Sequence, residues 1–254
     1  MHGPAISIAP GSRKMASSMS LAANLARIRE QIAAACRRAN RPEAEVALMA
    51  VTKTHSAETV MEAYAAGVRL FGENRVQEWQ EKSLALTHLP DAEFHLIGPL
   101  QSNKTTRAAE LFHAIDAVDS LRIATRLDAA ARALGKCLPI LIEVKLSDEE
   151  SKHGVAPAVL PALLAGLAPL ENLIPAGLMT VPPWDDDPER ARPCFRELRR
   201  LRDRSLAACP TLTQLSMGMS NDFGVAIEEG STCIRIGTAL FGTRQYTAGA
   251  LRSG

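Results

Sequence analysis

Three kinds of residue in this chain could do chemistry together. They are an amine at the end of an apolar run, two loops of glycine and hydroxyl residues, and an arginine among aliphatic neighbours. Lys53, one of seven lysines, follows Val46-Ala47-Leu48-Met49-Ala50-Val51 with only Thr52 between. An amine in apolar surroundings has its pKa lowered and becomes a nucleophile toward carbonyls; the plainer reading is a strand-end lysine that meets solvent. Lys145 also closes an apolar run, but Glu143 and Asp148 beside it favour an ion-paired structural role. Ser216-Met217-Gly218-Met219-Ser220 leads into Asn221-Asp222, and Gly237-Thr238-Ala239 follows Arg235-Ile236. Small residues expose backbone N–H groups and hydroxyls add donors, which together can cradle a phosphate. Each loop alone reads equally well as a tight turn with a helix cap. Arg235 lies within Cys233-Ile234-Arg235-Ile236. A buried guanidinium must find an acceptor, either a carboxylate across the fold or a ligand.

These residues sit at the ends of a repeating pattern. Ser20 is a candidate N-cap for a first helix, in which Leu21, Leu25, Ile28, Ile32 and Cys36 form one apolar stripe before Pro42. Eight apolar runs follow: 46–51, 70–72, 94–97, 114–118, 139–146, 173–179, 214–217 and 233–236. Helical stretches separate them at 57–66, 75–86, 104–112, 121–134, 157–167, 188–207 and 222–229. The runs are rich in Val, Ile and Leu and do not alternate, as parallel strands covered by helices do not. Eight βα units predict a single-domain α/β TIM barrel, the (β/α)8 fold, with an extra N-terminal helix. An open doubly wound sheet is the alternative, but no G-x-G-x-x-G follows the first strand. Little chain remains after Gly242, so a short tail or the N-terminal helix must cover the last strand.

Barrel chemistry sits at the carboxyl ends of the strands, and phosphate sites recur at strands 7 and 8. The two small-residue loops fall there, which favours the cradle over a pair of coincidental turns. A lysine for an aldehyde, loops for a phosphate and an arginine for a pyridine nitrogen suit pyridoxal 5'-phosphate. Other classes find little support. The formal net charge of +1 argues against nucleic acid or an anionic membrane as partner. The arginines of 188–207 are interleaved with Glu189, Glu197 and Asp203, as on a solvated face. Asp185-Asp186-Asp187-Pro188 reads as a helix cap. The six histidines show no ligand spacing, so no metal is expected, and His95 reads as a satisfied core histidine. Five scattered cysteines without a C-x-x-C pair fit the reducing cytoplasm. Residues 1–18 contain Pro4, Pro10 and Gly11 and read as a flexible leader, not a signal peptide. The barrel is placed at 19–246 and a flexible tail at 247–254.

The same segments carry a family resemblance. Ala50-Val51-Thr52-Lys53-Thr54, Phe71-Gly72-Glu73-Asn74-Arg75-Val76-Gln77-Glu78 and His95-Leu96-Ile97-Gly98-Pro99-Leu100-Gln101-Ser102-Asn103-Lys104 are three of them. Leu215-Ser216-Met217-Gly218-Met219-Ser220 and Arg235-Ile236-Gly237-Thr238-Ala239 are two more. With them the chain resembles the pyridoxal phosphate homeostasis proteins (the YggS/PROSC-type family) from about residue 20 to 244. The resemblance implies a barrel like the N-terminal domain of alanine racemase. It implies Lys53 as the Schiff-base lysine, Asn74 near the cofactor ring and Arg235 at the pyridine nitrogen. It implies Ser216, Gly237 and Thr238 on the phosphate, with Met217 contributing its backbone N–H. The 98–104 loop would line the mouth, with no chemical step assigned to it. His55, His153 and Lys145 depart from the family pattern without touching these roles.

Racemisation needs a second base on the far face of the cofactor. The only tyrosines are Tyr64, in a helix, and Tyr246, in the tail, and no β-rich second domain is expected after the barrel. An arginine at the ring nitrogen leaves a weaker electron sink. These features favour a carrier that regulates the intracellular pool and hands the cofactor over, without an established catalytic activity. It would be a cytoplasmic monomer that touches apo pyridoxal phosphate enzymes transiently. A weak racemase-like enzyme or a Schiff-base aldolase are the alternatives.

Overall fold

The computed structural model describes residues 20–86, 88–147 and 153–242. The expected leader and tail, together with Asp148 and Tyr246, lie outside them. The elements are α1 (Leu21–Arg38), β1 (Ala47–Val51), α2 (Ala57–Ala65), β2 (Leu70–Glu73), α3 (Val76–Ser83), β3 (Glu93–Leu96) and α4 (Thr105–Leu111). There follow β4 (Ala114–Val118), α5 (Leu121–Ala133), β5 (Leu138–Glu143), α6 (Leu160–Leu167) and β6 (Leu173–Met179). The order closes with α7 (Arg192–Ser205), β7 (Gln214–Ser216), α8 (Phe223–Glu228), β8 (Cys233–Ile236) and α9 (Thr238–Phe241). All strand pairs are parallel, and β8 closes onto β1 with Ala47 opposite Cys233 and Ala50 opposite Ile236. The chain is an α/β TIM barrel.

The elements form where the residue types require them. The Ser20 hydroxyl accepts from the Ala23 N–H at 3.3 Å and starts α1. Leu21, Leu25, Ile28, Ile32 and Cys36 bury the stripe on one side of it. That side meets α8 and α9, and Asn24 Nδ2 donates to Leu240 O at 3.0 Å. The helix after β8 is a single turn, so α1 covers the flank that a full eighth helix would occupy. At the other end of the sequence pattern, Asp187 accepts from the Glu189 N–H at 3.0 Å and caps the turn leading into α7.

The end of the fifth strand differs from expectation. The fifth run continues apolar to Leu146, but β5 stops at Glu143. Residues 153–155 fold back beside it, with the Lys145 N–H on Val155 O at 2.9 Å and the Val155 N–H on Glu143 O at 2.8 Å. Gly154 makes this approach possible: its φ is +111°, and a Cβ would lie 2.8 Å from Lys145 N. The inner faces of the strands also carry more polarity than the runs suggest. Side chains alternate along a strand. Pro139 and Leu141 line a cavity at the amino-terminal end of the barrel, and Glu143 and Lys145 line one at the carboxyl end. Ala117, Leu141 and Met179 form a small apolar cluster separate from the main core.

Candidate functional site

The cavity at the carboxyl ends of the strands has a volume of about 790 Å³. Lys53, Asn74, Arg235, Gly237 and Thr238 all line it. Lys53 stands two residues beyond β1, half-buried, between Thr52 and Thr54. The Thr52 N–H donates to Gly72 O at 3.0 Å, which carries the pairing with β2 one step further. Asn74 follows β2 directly, and Gly98 packs against it so closely that a Cβ would lie 2.3 Å from Asn74 O. Arg235 on β8 is only 4% exposed. Its Nη1 donates to Ser216 Oγ at 2.7 Å and its Nη2 to Thr180 O at 2.7 Å.

Five of the seven residues named from the sequence therefore share one surface. Ser216 and Met217 are fully buried and stand behind it. Ser216 orients Arg235, and the Met217 N–H is engaged by Cys233 O at 3.1 Å. The hydroxyl of this loop that reaches the cavity is that of Ser220. Its Oγ accepts from the Ala239 N–H at 3.2 Å and ties the two small-residue loops together. Its signal was the second serine of the same Ser-x-Gly-x-Ser segment, which periodicity gives no means of ranking against the first. Glu143 and Asp222 also line the cavity; the sequence reads them only as an ion-pair partner and a first-turn residue of a helix. Asp222 Oδ1 accepts from the Met219 N–H at 2.6 Å. Of the 98–104 loop, Gly98 and Pro99 reach the cavity, as do His55, Lys145 and His153.

Burial pushes the carboxyls of Glu143 and Asp222 up, and the Arg235 charge opposes that in both. Burial likewise disfavours the charge on Arg235, against the pull of Cys233, Asp116, Glu143 and Asp222. The Cys233 thiol is buried and pushed up to about 12, the behaviour of a small core hydrophobe.

A second cavity of about 330 Å³ opens at the amino-terminal end, lined by His95, Asp116 and Glu93 among others. His95 Nδ1 lies 3.1 Å from Asp116 Oδ1 and Nε2 3.7 Å from Glu93 Oε2. Burial alone would lower the imidazole pKa, but the two carboxylates outweigh it and raise it to about 9. His95 is thus a satisfied interior histidine, as its place within a strand suggested. The arginines of α7 are tied to acids: Arg192 to Glu189, Glu228 and Glu229 at 2.6, 2.7 and 2.9 Å, and Arg196 to Glu229 at 3.0 Å. Among the described residues no helix is long and apolar enough to cross a membrane.

A family model for the alanine racemase N-terminal domain matches residues 23–245. The pyridoxal phosphate homeostasis protein of Pseudomonas aeruginosa is 45% identical over 230 residues, 91% of this chain and 98% of that protein. That of Aquifex aeolicus is 43% identical over 229 residues, 90% of this chain and 100% of that one. The solved structure of PipY from Synechococcus elongatus with pyridoxal phosphate bound is 42% identical, with a TM-score of 0.79 over 88% of this chain and 100% of that one.

Proposed function

The chain belongs to the alanine racemase N-terminal domain family and, within it, to the pyridoxal phosphate homeostasis proteins, and from that premise we propose how it works. It binds pyridoxal 5'-phosphate, holds it as a Schiff base on Lys53, and regulates the intracellular pool of the cofactor. The observation that carries this reading is the convergence of Lys53, Asn74, Arg235 and the β7 and β8 loops on one cavity. The donor set fits the group. When bound, the cofactor supplies an aldehyde that condenses with a primary amine with loss of one water. Lys53 presents the amine from the end of β1. Arg235, already oriented by Ser216 and Thr180 O, meets the ring nitrogen. A guanidinium does not give up its proton, so the arrangement holds the ring without protonating it. Gly237, Thr238 and Ser220 surround the phosphate. A Cβ on Gly237 would find nothing nearer than Val51 at 3.7 Å, so the missing side chain answers no protein neighbour and leaves room on the cavity side. Asn74 lies beside the ring.

Holding and handing over the cofactor fits this site better than racemisation. Tyr64 sits on α2 with its hydroxyl on Asp91, outside the cavity lining, so no described tyrosine offers a base opposite Lys53. The handover goes to apo pyridoxal phosphate enzymes through transient contacts, and the chain acts as a cytoplasmic monomer. Cys36, Cys137, Cys209 and Cys233 are free thiols, as suits that compartment. Sedimentation at working concentration checks the monomer.

The direct test is an absorbance spectrum of the purified protein and of Lys53→Ala, before and after adding pyridoxal phosphate. A visible band in the wild type that Lys53→Ala abolishes supports the reading. A wild-type protein that stays colourless with added cofactor overturns it and favours the aldolase alternative. Added alanine then separates carrier from racemase, since a carrier leaves its configuration unchanged.

A further inference from the structure

The turn that bears Lys53 is fastened from behind by α3. Glu73, the last residue of β2, is fully buried, and Lys82 on α3 has a side chain only 7% exposed. Glu73 Oε1 accepts from the Thr52 hydroxyl at 2.7 Å and from Lys82 Nζ at 2.8 Å. The same ammonium donates to Thr52 O at 2.9 Å. One helical turn earlier, Glu78 accepts from the Thr54 N–H and lies 3.5 Å from Lys82 Nζ. Both neighbours of Lys53 are thereby held, Thr52 at its hydroxyl and carbonyl, Thr54 at its N–H. Thr54 has φ +64°, a left-handed conformation that a β-branched residue adopts only where its surroundings impose it.

Stability does not explain this arrangement. A buried ion pair loses about as much in desolvation as it gains, and a neutral pair of similar shape is often as stable. This pair is also imperfect, because Glu73 Oε2 is buried without a hydrogen-bond partner. What it does provide is geometry. The segment from Glu73 to Lys82 contains Asn74 and grips the Lys53 turn, so the amine and Asn74 are set by one device.

We propose that Lys82 and Glu73, assisted by Glu78, are positioning residues that fix the Lys53 turn and so set the approach of its amine to a ligand aldehyde. The inference rests on the reading of Lys53 given above. It is tested with Lys82→Met and the double variant Glu73→Gln/Lys82→Met, each beside wild type. Three quantities are measured: the melting temperature, the rate at which the visible band grows on adding pyridoxal phosphate, and the acetylation of Lys53 relative to Lys104 in ligand-free protein, read by peptide mass spectrometry.

Lys82→Met leaves Glu73 uncompensated and lowers the melting temperature, while the double variant recovers it. In both, the band grows roughly 10- to 100-fold more slowly, and the labelling of Lys53 departs from wild type. A double variant that folds, labels and links the cofactor at the wild-type rate overturns the proposal and leaves the pair purely structural. A wild type that forms no Lys53 link overturns the reading of Lys53 itself and the proposal with it, and only that outcome does so. If the double variant does not fold, Glu78→Ala makes the same test at a partly exposed residue, by releasing the Thr54 N–H. Unchanged labelling and linkage there count against the clamp.

Discussion

The two ends of the barrel interior hold similar residues and treat them differently. At the amino-terminal end His95, Asp116 and Glu93 answer one another around a cavity of about 330 Å³. At the carboxyl end Lys53, Glu143, Asp222 and Arg235 face a cavity of about 790 Å³. There Arg235 is held by two neutral oxygens, Ser216 Oγ and Thr180 O, while carboxyls on the same wall are pushed up by burial. Leu141 on β5 belongs to the lower cavity and Glu143, two residues on, to the upper. A cluster whose charges are mutually satisfied belongs to the folded structure. A set whose donors converge on open volume is arranged for something that is not part of the chain.

Substitution of Arg235 gives the largest effect, because it strikes both fold and binding. Arg235→Leu strands Ser216 Oγ and Thr180 O in a buried site and removes the positive charge beside Glu143 and Asp222. The expected loss is about 3 kcal/mol or more of stability, read by urea unfolding, together with a clear rise in the Kd for pyridoxal phosphate. Wild-type cofactor affinity in a folded Arg235→Leu protein breaks the comparison, since Arg235 would then belong with the satisfied groups.

His95 sharpens the contrast, because its effect falls on stability alone. Its pKa is raised from 6.5 to about 9. A group with a raised folded pKa contributes stability that is fully present below its unfolded value and is lost as pH rises through the folded one. Unfolding free energy should therefore fall between pH 6.5 and about pH 9, by roughly 2 kcal/mol. In His95→Gln/Asp116→Asn that slope flattens, and the Kd for pyridoxal phosphate stays at the wild-type value. Glu143 and Asp222 are also raised, so they too lose stability as pH rises, but from their acidic unfolded values upward. A cofactor Kd that moves with the His95 pair would mean the two ends are coupled.

The contrast was only half legible in the sequence. Strands buried on both faces make unbroken apolar runs, so all eight strands, with α1 and its Ser20 cap, could be read directly. The same property hid the inward polar residues. His95 and Asp116 sit in different runs, and nothing local says that their side chains meet. The end of β5 was misplaced because Val144 and Leu146 keep the run apolar after the pairing with β6 has given way to residues 153–155. Lys82 was invisible for the opposite reason. A lysine on a short helix is ordinarily solvated, and only the fold brings it under Thr52. Lys53, Arg235, Gly237 and Thr238 were legible because each broke the pattern of its own segment.

Gly237 gives the smallest effect and the cleanest separation. Its backbone, at φ −111° and ψ −84°, lies outside the main α and β regions, although no protein atom lies within 3.7 Å of the position a Cβ would take. Gly237→Ala should therefore lower the unfolding free energy by about 1 kcal/mol, the cost of a sparsely populated backbone conformation and not of a clash. The added methyl occupies cavity space beside Thr238, where the phosphate is proposed to lie. Affinity for pyridoxal phosphate should fall about tenfold, equivalent to about 1.4 kcal/mol. The unphosphorylated pyridoxal should lose less, because it does not need that room. Equal losses for the two ligands would place the phosphate elsewhere in the cavity. Since both ligands are measured on the same folded variant, the difference between them does not depend on any loss of stability.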